Sequence, residues 1–146
     1  MLNLSSGEVS CATWLRTAGF TVRSGQSVRM LDIPVQGRFG AFDDLHGWQS
    51  SSDFVHTLYR STVTHYGHAG PAFVRALIEE NPDLDECLAK AIKHFKCSDN
   101  VQGRAARMFA LLAVAGELAR RYGIVPWQND YGVIKACVTL VDRWRE

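Results

Sequence analysis

"SDNVQGRAARMFALLAVAGELARRYG", Ser98 to Gly123, is the stretch that decides the fold. A cap within Ser98 to Asn100 opens a helix that runs to about Tyr122, and Gly123 ends it. Between Ala105 and Ala119 the helix is apolar nearly all round, which predicts the central, buried helix of the molecule. Glu117, inside the apolar AGELA run, needs a cationic partner there, and an arginine is expected to provide it.

Shorter helices surround this one. After the IVPWQND loop, Tyr131 to Trp144 reads as a last amphipathic helix. Upstream, Asp83 or Asp85 opens a helix ending near Cys97, and Asn81-Pro82 breaks the one before it. That earlier helix starts with Pro71 in its first turn and turns Phe73, Val74, Leu77 and Ile78 inward. Ser52 or Asp53 caps another, with Phe54, Val55, Leu58, Tyr59 and Val63 as its buried face and an end near Gly67. Near the N-terminus, Ser5 to Glu8 (SSGE) has capping-box spacing, and a short helix follows until Gly19.

One segment departs from helical periodicity. GQSVRMLDIP, Gly25 to Pro34, places Val28 to Ile33 as a strand that Pro34 stops, with Arg29 in its middle. A lone strand leaves backbone groups unpaired, so it requires a partner, either Phe20 to Arg23 as a hairpin or a segment outside this chain. The loop VQGRFGAFDDLHGWQ follows, rich in glycine and aromatic residues, and a loop of this length is either functional or packed down by its own rings. The expected fold is therefore mainly α, about six helices around a central buried helix, with a small element of one or two strands.

Composition narrows the function classes. A chain of 146 residues with 47% hydrophobic and 21% charged residues suits a globular body that buries roughly two-thirds of its unfolded surface. The longest apolar run, Met108 to Gly116, is far short of the roughly 20 residues a membrane span needs, and a cytoplasmic location is expected. Cys11, Cys87, Cys97 and Cys137 lie far apart without CxxC or CxH spacing and read as reduced, mostly packed thiols. Net charge is only +1, so the chain is no polycation for nucleic acid. Its cations are nevertheless twelve arginines to four lysines, and the planar guanidinium fork suits phosphate or carboxylate.

Candidate chemistry is sparse. His65-x-x-His68 has the spacing of one helical turn but no companion ligand, so no metal site is expected. His46 with Asp43 and Asp44 lacks a nucleophile elbow for a hydrolase triad. No Gly-Lys pair occurs, which excludes a P-loop in this chain. Arg104 and Arg107 fall in the first turns of the long helix, where the macrodipole favours anions; they are either plain surface arginines or placed to meet an anion.

The order LSSGE, GQSVRMLDIP, GRFGAFDDLHG, HYGHAGPAF, VQGRAARMFALLAVAGELA and GIVPW, closed by a tryptophan-bearing helix, resembles the C-terminal portion of the helicase-like ATPases grouped as domain of unknown function 927. These belong to phages, prophages and mobile elements and are similar to ring helicases of the minichromosome-maintenance type. The resemblance implies that residues 1–48 form the end of an α/β ATPase core and residues 49–146 a helical, lid-like domain. It implies an arginine finger at Arg29, with Arg23 or Arg38 as substitutes if the register differs, and phosphate-sensing residues at Ser5, Ser6 and Glu8. It places Arg104, with Arg107 behind it, as arginines a helical lid lends to bound nucleotide. ATP and magnesium are then implied for the intact parent and none for this chain alone. The implied partners are a P-loop-bearing half or neighbouring subunits in a homo-oligomer, with DNA reached through the assembly. A non-enzymatic helical assembly module is the alternative. An ion pair of Arg29 with Asp32 or Glu8 is the alternative to the finger.

Overall fold

The computed structural model describes residues 6–27, 29–35, 37–39, 42, 44–127 and 132–145. They form helices α1 (Cys11–Thr17), α2 (Ser24–Ser27, a single turn), α3 (Ser51–Thr64), α4 (Ala69–Glu80), α5 (Leu84–Ile92), α6 (Asn100–Arg121) and α7 (Gly132–Arg145).

Local chemistry accounts for the helix ends. The side chains of Ser10, Ser50, Asp83 and Asp99 accept from Thr13, Asp53, Glu86 and Gln102 amides and open α1, α3, α5 and α6. Ser10, not Ser5, is therefore the cap of α1; Ser5 lies outside the described residues, and Glu8 sits in an exposed bend before the helix. Asn81 ends α4 in the left-handed region, and Gly123 takes a positive φ of 67° after α6.

Among the described residues there is no β-strand, so the expected one- or two-strand element is corrected to an all-helical fold. An isolated antiparallel bridge joins Phe39 and Phe42. Val28 lies outside the described residues; Leu31 to Val35 forms no ladder, and the candidate partner Phe20 to Arg23 leads instead into α2. The amides of Arg29 and Met30 both turn back to the Gln26 carbonyl, at 3.0 and 2.9 Å. Alternation survives without pairing. Leu31 and Ile33 pack onto the helical core, while Asp32 between them meets the amides of Cys11 and Ala12 at 3.0 and 3.2 Å and closes the first turn of α1.

The core lies between α6 and its neighbours α5 and α7. From α6 it takes Ala106, Phe109, Ala110, Ala113, Val114 and Leu118, joined by Ala91 and Phe95 upstream and Cys137 and Val141 of α7. Fully buried alanines bring the neighbouring helices close. The approach is close at Gly116, where an added Cβ would stand 2.5 Å from Val133 Cγ1.

The long helix is central but not enclosed, since Leu111 and Leu112 remain 53% and 41% exposed. Two expected inward faces are also corrected. Val55, Leu58, Tyr59 and Val63 of α3 all lie at the surface, and so do Val74 and Ile78 of α4, while Phe73 and Leu77 pack against the core. Phe54 is the inward residue of α3: it meets Phe42 edge to face at 4.9 Å and Trp48 at 6.5 Å, so the aromatic loop is held down by its own rings.

Candidate functional site

The three arginines singled out in the sequence share one property with Arg16, Arg23, Arg38, Arg60 and Arg75. Arg29, in the turn after α2, and Arg104 and Arg107, on the first turns of α6, are exposed and have no carboxylate within ion-pair distance among the described residues. Arg29 pairs with neither Asp32 nor Glu8: the Asp32 carboxylate is taken by the α1 amides. Its place in the sequence is explained by exposure, because the segment is a surface turn where a guanidinium stays hydrated. Arg23 and Arg38 are exposed as well, and the Arg38 guanidinium stands 5.1 Å over the Phe39 ring.

The tip of α6 is already occupied. The Asp99 carboxylate accepts the Gln102 amide at 2.8 Å, and the Gln102 side chain accepts from Ser98 at 3.3 Å. The Asp99 carboxylate thus already holds the Gln102 amide, and an anion drawn to this end of the molecule would meet the guanidinium groups. Ser6 and Glu8 lie exposed ahead of α1, with no strand end beside them among the described residues.

A separate cleft of about 610 Å³ opens between α5 and the C-terminal half of α6, with Ile134 of α7 on its wall. Lys90, Lys93, His94, Arg120 and Arg121 ring an apolar floor of Ala91, Val114 and Leu118. Its cations are largely neutralised. Lys90 pairs with Glu86 at 2.8 Å, Arg120 with Glu117 at 3.0 Å, and Arg121 with Glu80 at 2.6 Å. The Glu117–Arg120 pair bears out the structural role expected of Glu117, whose side chain is largely covered. The Tyr122 hydroxyl and then the Arg121 guanidinium, both beside it, hold the Glu80 carboxyl below the usual glutamate value.

The remaining titratable groups do not converge. His65 and His68 are exposed, and among the described residues no three metal-ligating side chains come together. His46 adopts a left-handed φ of 49° and stands 3.8 Å from Asp44, both well exposed; Asp43 lies outside the described residues. Cys137 is buried, which pushes its thiol pKa up, whereas Cys11 and Cys97 are exposed. The sequence showed neither the cleft nor the Asp32 cap, since both depend on residues far apart along the chain.

Comparison with known families, characterised proteins and solved structures finds no match to this chain. Among the described residues no helix is long and apolar enough to cross a membrane.

Proposed function

We propose that this chain is the C-terminal, helical part of a cytoplasmic helicase-like ATPase that acts on DNA in phage or mobile-element replication. It lends arginines to a nucleotide held by a P-loop-bearing half or a neighbouring subunit of a homo-oligomer, and it does not hydrolyse ATP alone. The resemblance in motif order supplies this reading. The observation that supports it is the set of Arg29, Arg104 and Arg107, exposed and without ion-pair partners among the described residues, as side chains awaiting an anion from outside must be.

The chemistry follows from charge. Phosphoryl transfer spreads negative charge over the phosphate oxygens, and a planar cation brought to them lowers the barrier by an amount on the order of 10³-fold or more in rate. Arg29 fills the finger role and Arg104, backed by Arg107, the lid role. Ser5, Ser6 and Glu8 take the phosphate-sensing place. Under this reading the magnesium is held with the nucleotide by the P-loop-bearing half.

The test is calorimetric titration of a magnesium-nucleotide analogue into the chain alone, then an ATPase assay after mixing with a P-loop-bearing half from the same source. Silence alone and activity in the mixture that Arg29→Ala or Arg104→Ala removes is the expected result. An inert mixture, or variants indistinguishable from wild type, would overturn it.

A second reading, a non-enzymatic assembly module, is favoured by the apolar surface of α3, where Tyr59 is 67% exposed alongside Val55 and Val63. Sedimentation equilibrium distinguishes it: a discrete oligomer that forms without nucleotide and is lost in Tyr59→Ser supports the module.

A further inference from the structure

We infer that the cleft between α5 and the C-terminal half of α6 binds a small organic anion, with its apolar body on the cleft floor and its carboxylate or phosphate head against Lys93 and Arg121. The site is separate from the arginines assigned above to nucleotide, and its occupant requires no partner chain.

The cleft has the size of a small-molecule site, about 610 Å³ against the roughly 300–1,000 Å³ that such sites span. Its floor, built from Ala91, Val114, Leu118 and Ile134 of three different helices, is apolar, so a hydrocarbon or aromatic body laid on it leaves water.

Charge selects the head group. Lys90 and Lys93 reach the wall from the end of α5, and Arg120 and Arg121 from the last turn of α6, with Glu117 as the one acid beside them. Each helix end favours cations by itself, and the fold turns both sets onto one opening. Exposed arginines such as Arg60 of α3 and Arg75 of α4 share no such wall. Glu117 is largely covered and held by Arg120. Glu86 and Glu80, the partners of Lys90 and Arg121, stand off the lining. Arg121 meets Glu80 through Nη2, and a guanidinium so bound keeps further N–H donors. Lys93 has no carboxylate within ion-pair distance among the described residues. Cations gathered around a concave, partly apolar wall focus positive potential into it, so an anion is held there in preference to a neutral molecule or a cation.

The test is an amide-resolved NMR titration of the whole chain with sodium octanoate and with octyl phosphate, both kept monomeric, against butanoate, octanol and octyltrimethylammonium. Saturable shifts centred on residues 87–94, 114–121 and Ile134 are expected from both eight-carbon anions. Octanoate should bind about tenfold or more tighter than butanoate, because four further methylene groups leave water. Octanol and the ammonium compound should bind about fivefold or more weakly than octanoate, and Lys93→Glu should weaken octanoate by a similar factor while Lys93→Arg retains it. Circular dichroism establishes that Lys93→Glu, a change at an exposed position, leaves the helices intact. Whichever anion binds tighter identifies the head as carboxylate or phosphate, and either supports the site. Shifts that do not saturate or that fall mainly on α3, octanol binding as tightly as octanoate, or unchanged affinity in Lys93→Glu would overturn it.

Discussion

Arg121 Nη2 lies 2.6 Å from either carboxylate oxygen of Glu80, joining the end of α6 to the end of α4 across 41 residues of sequence. The pair is the long-range polar tie between these helices, and the Phe73 and Tyr122 rings, 5.9 Å apart, lie on the same seam. Its pH dependence follows from Glu80, whose folded pKa lies below its ordinary value of 4.5. The contribution is complete above that value and is lost as pH falls through the folded pKa. Thermal unfolding of wild type and Glu80→Gln should therefore differ by a constant margin at neutral pH that closes below about pH 4.5. Added salt should narrow the margin, because both groups are partly exposed. A margin that grows on acidification would contradict the assignment.

Asp32 holds the first turn of α1 from a segment twenty residues away. Asp32→Ala should destabilise the protein by about 0.5–1 kcal/mol, toward the low end of cap losses because Ser10 still accepts the Thr13 amide. Hydrogen exchange should rise first at Cys11 and Ala12. Unchanged exchange there would show that the carboxylate does not cap the helix.

At Gly116 two effects oppose each other. Alanine improves helix propensity by about 1 kcal/mol, but its Cβ would overlap Val133 Cγ1, and such overpacking costs about 1–3 kcal/mol. The Val133 methyl is the end of a stiff, branched side chain, so the overlap wins. Gly116→Ala should lower stability to urea by roughly 1 kcal/mol, and Val133→Ala in the same chain should recover part of it through coupling between touching sites. Additive losses would count against the contact.

The arginines assigned to phosphate should be dispensable for folding. Arg29→Ala, Arg104→Ala and Arg107→Ala remove exposed side chains without ion-pair partners among the described residues, and each should shift stability by no more than about 0.5 kcal/mol. A loss of several kcal/mol on urea unfolding would show a structural role instead.

Thiol reactivity should sort by burial. Cys11 and Cys97 are exposed, while Cys137 is buried with its pKa raised by desolvation. Timed alkylation with iodoacetamide and mass spectrometry should label Cys11 and Cys97 first, and Cys137 only as the protein opens. Early labelling of Cys137 would show that the α6–α7 core is loose.

Helix positions were legible in the sequence because their determinants are local. Asp83 and Asp99 cap α5 and α6, Asn81-Pro82 closes α4, and Gly19 and Gly123 turn the chain, each through neighbours within a few residues. The long α6 was legible as the central helix for the same reason. What the sequence could not decide was which partner arrives. Whether 29–33 found a ladder depended on Phe20 to Arg23, which stays irregular and leads into α2; whether Val55, Tyr59, Leu111 and Leu112 were covered depended on helices that packed elsewhere. Whether Arg29 had a counterion depended on Asp32, which the amides of α1 had already claimed. Caps and turns are set by short-range hydrogen bonds and backbone φ, whereas burial and ion pairing are properties of pairs distant in sequence, and only the tertiary structure brings those pairs together or leaves them apart.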